Sequence, residues 1–137
     1  SCGATPVYRY FNPFINDTYL STQAFNGAYG YVFKAKIGTI CTTKPLLTAL
    51  VPLYEMWKTD DDHFYTKDSL ANGTNGYGNK KIFGYIYPGT ASTHKPLCRY
   101  YSAAKTDHFY DAPDDGLCKS FTSTGYTLER IEGYILK

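Results

Sequence analysis

The chain repeats one pattern three times, and this restricts its fold more than any other feature does. Pro6-Val7-Tyr8-Arg9-Tyr10-Phe11 returns as Pro52-Leu53-Tyr54-Glu55-Met56-Trp57 and again as Pro96-Leu97-Cys98-Arg99-Tyr100-Tyr101. Asp17-Thr18-Tyr19-Leu20-Ser21 is followed in the same way by Asp62-His63-Phe64-Tyr65-Thr66 and Asp107-His108-Phe109-Tyr110-Asp111. Each copy closes on two glycines eight residues apart: Gly30 and Gly38, Gly76 and Gly84, Gly125 and Gly133. The period is 46 and then 44 residues. Three copies of one unit imply a single pseudo-threefold domain over residues 1–137, with repeats at 6–51, 52–95 and 96–137, and a binding surface built up to three times. Repetition suits multivalent recognition better than catalysis, which needs one asymmetric constellation.

Each repeat reads as short strands divided by turn residues. Val7 to Phe11 alternates bulky and polar positions, placing Tyr8 and Tyr10 on one face and Arg9 on the other, until Asn12-Pro13 breaks the run. The Asp-His-Phe-Tyr segment is a second strand with His63 and Tyr65 on one face and Phe64 on the other. A turn-rich stretch such as Asn72-Gly73-Thr74-Asn75-Gly76 follows, then a longer strand pair over residues 76–87 and 125–136, bent or bulged at Gly84 and Gly133. Residues 67–70 and 112–117 each suit one helical turn. About four strands per repeat predict an all-β domain of roughly twelve. A β-trefoil fits that count and unit length, a β-prism is the alternative, and a propeller needs at least four blades. The Gln-x-Trp signature of ricin-type trefoils has only a faint echo in Gln23-Ala24-Phe25.

Cys2, Cys41, Cys98 and Cys118 contain no Cys-x-x-Cys pair, so disulfides fit better than zinc and an oxidising, extracellular setting follows. Repeat three spends 18 residues between Asp107 and Gly125, against 13 and 14 in the other two, and Cys118 lies in the excess. Cys98–Cys118 would tie that loop to its own first strand, for about 3 kcal/mol. Cys2–Cys41 would clip the start of the chain to the end of repeat one. Asn16-Asp17-Thr18 and Asn72-Gly73-Thr74 are glycosylation sequons, and the start at Ser1 reads as a processed secreted form. A net charge of +2 without a basic run argues against a nucleic-acid partner, and no apolar stretch is long enough for a membrane span. Fifteen Tyr and eight Phe supply a surplus of rigid amphipathic surface.

The units resemble a repeat of uncharacterised function in secreted fungal and bacterial proteins, with the pattern Pro-Leu-Tyr-Arg-Tyr-Tyr, Asp-His-Phe-Tyr-Thr, Gly-Tyr-x-x-Glu-x-Ile-x-Gly-Tyr. Repeat three carries nearly all of it: Pro96-Leu97, Arg99-Tyr100-Tyr101, Asp107 to Tyr110, Gly125-Tyr126, Glu129, Ile131 and Gly133-Tyr134. Repeat two has Glu55 and Lys80 where Arg and Glu are usual, and repeat one lacks the His-Phe-Tyr. In bacteria such repeats are often attached to secreted hydrolases, which implies a cell-wall or glycan-binding accessory and carries over no catalytic residue.

A sugar site needs an acid or amide to bond hydroxyls and a ring to stack on the apolar sugar face. Asp62, His63 and Tyr65, and Asp107, His108 and Tyr110, offer that mix, with Trp57 and Arg99 one strand earlier. Thr18 and Leu20 replace the His and Tyr in repeat one, so two working sites are expected. Asp60-Asp61-Asp62 and Asp114-Asp115 hold the carboxylates a glycosidase would use, but in polar turns where raised pKa values are not expected. No nucleophile motif, calcium cage, metal or cofactor is indicated. The sequence therefore reads as a non-catalytic lectin for defence or cell-wall recognition. A trefoil-type protease inhibitor presenting loop 42–50 or 88–95 is one alternative, and a structural or toxin-like secreted protein is another. A homo-oligomer is left open.

Overall fold

The computed structural model describes residues 1–25, 28–59 and 62–137. Among them run nine strands: β1 (Ala4–Asn12), β2 (Asp17–Ser21), β3 (Val32–Cys41), β4 (Val51–Trp57), β5 (His63–Thr66), β6 (Gly78–Ile86), β7 (His94–Ser102), β8 (Asp107–Asp111) and β9 (Thr127–Leu136). Each repeat is a three-stranded antiparallel unit with its first strand in the middle: β2-β1-β3, β5-β4-β6 and β8-β7-β9. The third strands join the units, β3 pairing with β6 at Cys41–Tyr85 and with β9 at Thr39–Leu136, while a bridge between Tyr87 and Tyr134 links the second unit to the third.

The all-β expectation agrees with this, but the count is nine strands among the described residues, not about twelve. Residues 76–87 and 125–136, expected as strand pairs, each contribute one strand. The short helical turns are 3₁₀ turns at Ala28–Gly30, Thr74–Gly76 and Thr122–Thr124, just before each third strand, and not at 67–70 or 112–117.

Every third strand carries a β-bulge beside its glycine. Val7 faces Gly38 but Tyr8 faces Lys36, leaving Ile37 extra; Phe83 and Glu132 are the extra residues beside Gly84 and Gly133. A second register shift follows two residues on along the central strand. These shifts break the simple alternation: Val7 and Tyr10 are both buried, as are Leu53 and Met56, and Leu97 and Tyr100.

One apolar core draws on all three units, combining Val7, Leu20, Ile37 and Ile40 with Leu53, Tyr65 and Ile86 and with Leu97, Tyr110 and Ile135. The glycines let the units close on it. A Cβ on Gly84 would lie 2.8 Å from Ile40 Cδ1, one on Gly133 2.6 Å from Ile86 Cδ1, and one on Gly38 2.6 Å from Ile135 Cδ1. Each unit thus seats an isoleucine on the glycine of the next.

Candidate functional site

The aspartate that opens each second strand does not reach for solvent. Asp17, Asp62 and Asp107 are each at most 1 % exposed, and a carboxylate oxygen from each lies within 4.8 Å of the others. Each carboxylate crosses to the following repeat. Asp17 accepts the His63 N–H at 2.8 Å, Asp62 the His108 N–H at 2.9 Å, and Asp107 the Thr18 N–H at 2.7 Å. The imidazole Nδ1 atoms of His63 and His108 bond the same two aspartates, and the Thr18 hydroxyl takes their place on Asp107 at 2.7 Å. A tyrosine from each aspartate's own repeat completes the set: Tyr31 donates at 2.5 Å, Tyr77 at 2.5 Å and Tyr126 at 2.6 Å. Burial, with the Asp62 charge adding to it, raises the Asp107 carboxyl to about 7 despite these donors.

Tyr65 and Tyr110, expected to contact ligand, are fully buried. Tyr110 Oη accepts the Tyr65 N–H at 2.7 Å and donates to the Tyr65 carbonyl at 2.8 Å. Tyr65 Oη accepts the Leu20 N–H at 3.0 Å and donates to Glu55 at 2.7 Å. Leu20 has no hydroxyl with which to continue the series, and the Arg9 guanidinium bonds the Tyr110 carbonyl at 3.0 Å instead. Asp62, Asp107, Tyr65 and Tyr110 are therefore joints between repeats. The expected grouping within one repeat is corrected: His108 bonds Asp62 of the repeat before it, and a β5 strand buried almost throughout leaves Tyr65 no solvent side.

The three junctions are alike in plan but not in filling. Between repeats two and three, Arg99 lies 5.0 Å over the Phe64 ring and pairs with Glu129 at 2.9 Å and Glu132 at 2.5 Å, while His108, 8 % exposed, has Nε2 3.4 Å from Glu129. Between repeats three and one, Arg9 lies 4.5 Å over Phe109. Between repeats one and two, the residue at the arginine position is Glu55, turned inward to Tyr65 and Lys81, and the ring at the Phe64 position is Tyr19.

That junction holds an open aromatic cleft. One part, about 430 Å³, is lined by Tyr19, Phe25, Ala28, Tyr29, Tyr31, Trp57 and His63. A second, about 310 Å³, shares Tyr29, Tyr31, Trp57 and His63 and adds Asn12, Ile15, Asp17 and Lys58. Trp57, the last residue of β4, pairs with His63 and stacks on its ring at 5.9 Å and 18°. Tyr29 stands at the rim, 96 % exposed, in the left-handed conformation with φ 55°. Asn12 holds that turn, donating to the Tyr29 carbonyl at 3.1 Å. Burial raises the Tyr19 and Tyr31 hydroxyls above their ordinary range, aided by Glu55 at Tyr19 and by Asp17 at Tyr31, so both stay protonated at neutral pH.

Of the expected ligand residues, Trp57 and His63 meet in this cleft, and the other six do not line it. Asp60 and Asp61 lie outside the described residues. Asp114 and Asp115 are surface carboxylates paired with Lys95 and Lys119, which lower their pKa values. Tyr19, Phe25, Tyr29 and Tyr31 went unnoticed because repeat one lacks the His and Tyr of its motif. The signal available was Glu55 in an arginine position.

Cys2–Cys41 and Cys98–Cys118 are both bridged. Asn72 is exposed, and Asn16 is half-buried at the β1–β2 turn. In loop 42–50, Leu46 and Leu47 project fully into solvent from a turn in which Leu47 has φ 64°. Among the described residues no helix is long and apolar enough to cross a membrane.

No curated protein and no solved structure matches the chain. A family model matches residues 6–136, nearly its whole length. The protein therefore belongs to the family described as domain of unknown function DUF5648.

Proposed function

We propose that the protein is a secreted, non-catalytic glycan-binding protein of the kind used in defence or cell-wall recognition, and that it holds its carbohydrate between repeats one and two. The observation that carries this reading is the exposed ring of Tyr29 and the half-buried ring of Trp57 over a cleft whose inner rings are Tyr19, Tyr31 and His63. Flat ring faces suit the apolar faces of sugars, and tyrosine hydroxyls suit their edges. A bulky residue in the left-handed region costs about 1–3 kcal/mol, and such strain collects at ligand clamps. Tyr29 bears that cost while gaining almost no burial. Among the described residues the carboxylate that lines the cleft is Asp17, whose oxygens are bonded by His63 and Tyr31, which supports holding over acid–base chemistry. Two disulfides support an oxidising compartment.

The same features favour one principal site over two repeat-derived sites. Among the architectures open to an all-β chain, three-stranded units meeting at their third strands favour three sheets about an axis, as in a prism, over the trefoil.

A broad glycan array followed by calorimetry tests the reading. Tyr29→Ala, at the surface, is expected to keep the wild-type melting temperature, and Trp57→Ala, at a half-buried ring, to lower it but leave the protein folded. Loss of Trp57 should weaken binding by about 2 kcal/mol or more, as for an aromatic anchor. A blank array with folded, disulfide-bonded protein would overturn the proposal.

A further inference from the structure

We infer that the cleft is one end of a longer aromatic track, and that the ligand is an extended, uncharged glycan chain gripped along several sugars and not by a terminal residue. This rests on the glycan reading above and narrows it to a ligand class.

A third cavity, about 530 Å³, is lined by Tyr8, Tyr10, Ala24, Phe25 and Phe33. It shares Phe25 with the 430 Å³ part of the cleft, which shares four residues with the 310 Å³ part. Phe25 is thus a wall common to the 530 Å³ and 430 Å³ hollows, and Tyr29, Tyr31, Trp57 and His63 are walls common to the 430 Å³ and 310 Å³ hollows.

The rings beneath them form an unbroken path. Tyr8 and Phe33 are 6.1 Å apart, Phe33 and Tyr10 5.8 Å, and Tyr10 and Phe25 4.1 Å. Phe25 and Tyr19 are then 6.1 Å apart, Tyr19 and His63 4.8 Å, and His63 and Trp57 5.9 Å.

The path is held in place. Tyr10 is fully buried, its hydroxyl donating to the Gln23 carbonyl at 2.9 Å and accepting the Phe25 N–H at 2.9 Å. Phe25 lies nearly parallel to Tyr10, at 14°. A surface fixed before binding loses less ordering entropy on contact with a ligand.

The track belongs to repeat one. At the position of Tyr8, repeat two has Tyr54 with the Lys80 ammonium 4.5 Å over its ring, and repeat three has Cys98, bonded to Cys118. Among the described residues no Asp, Glu, Lys or Arg lines the two apolar hollows, which favours a neutral chain over a sulfated or uronic one. Rings line hollows on both sides of Phe25, Tyr8 and Phe33 on one side and Tyr19, Tyr29 and Trp57 on the other, which is more than one sugar covers. It matches a flat, equatorially linked chain, which offers an apolar face at successive residues.

The test is calorimetry with fragments of chitin, cellulose and β-1,3-glucan from one to six sugars. In at least one series the single sugar is expected to bind negligibly, with affinity rising about tenfold or more from two sugars to five before levelling, as each further ring adds contact. Phe33→Ala, and separately Tyr8→Ala, should lower hexasaccharide affinity several-fold and leave the disaccharide unchanged. Trp57→Ala should lower both. Equal affinity for a single sugar and a hexamer, unchanged hexamer binding in both far-end variants, or no binding in any of the three series would each overturn the inference. Array binding to a terminal sugar would then leave the glycan reading standing, and a blank array would remove both.

Discussion

A tyrosine hydroxyl can join a neighbouring main chain to a side chain with one atom, and Tyr65 does this, accepting the Leu20 N–H while donating to Glu55. Tyr65→Phe leaves the Leu20 amide and the buried Glu55 carboxylate each short of a partner, an expected loss of about 1–3 kcal/mol. Urea unfolding measures it, and glycan affinity should not change. A variant that kept its stability and lost binding would return Tyr65 to the ligand. The motif Asp-His-Phe-Tyr was plain in the sequence, but its role was not. Alternation assigns two faces to a strand and presumes that one meets water, whereas β5 is covered almost throughout because three units share one core. The hydrogen bonds of Asp17, Asp62 and Asp107 join residues 46, 46 and 89 positions apart, counting to His63, His108 and Thr18, and no local spacing rule could pair them.

At the scale of the elements, the legible feature was the glycine pair and the obscure one was the strand count. Gly84 and Gly133 do accompany bulges, as their place in a strand suggested. The bulge does not end the strand. It turns an extra residue, Ile37 or Glu132, into the interior and lets one long strand serve both its own unit and the junction. Gly133→Ala would set a methyl 2.6 Å from Ile86 Cδ1 and 3.0 Å from the Tyr87 carbonyl. The expected cost is about 1–3 kcal/mol, as for overpacking. Ile86→Val removes the nearer atom, so the double variant should be more stable than the two single losses added together, by denaturant titration. Strict additivity would mean that the units do not meet there. Arg9, Glu55 and Arg99 show the limit of sequence reasoning at this scale. Their equivalence is visible in the repeat, but only the fold shows that two of the three cover an aromatic ring, while Glu55 bonds Tyr65 and the third ring, Tyr19, is a wall of the cleft.

For the whole molecule, the three-aspartate cluster couples stability to pH. Asp17 and Asp62 each hold a histidine of the next repeat, but Asp107 holds Thr18 and has its carboxyl raised to about 7, chiefly by burial, from an ordinary 3.8. Between those values the folded protein keeps a proton that the unfolded chain has released. Stability from this group therefore falls as pH rises from about 4 to about 7, then stays level. Asp107→Asn should flatten that slope in thermal melts taken across the window, and an unchanged slope would show that Asp107 titrates normally. The cyclic contacts carry a topological consequence. Isoleucine meets glycine from repeat one to two, two to three and three to one, and aspartate meets main chain in the same rotation. Ala4 and Leu136 both pair with the end of β3, at Cys41 and Thr39, so the gap between them corresponds to the loops that lead from β3 to β4 and from β6 to β7. The ring of contacts is thus unchanged by cyclic relabelling of its units: which repeat comes first is a property of the chain and not of the fold.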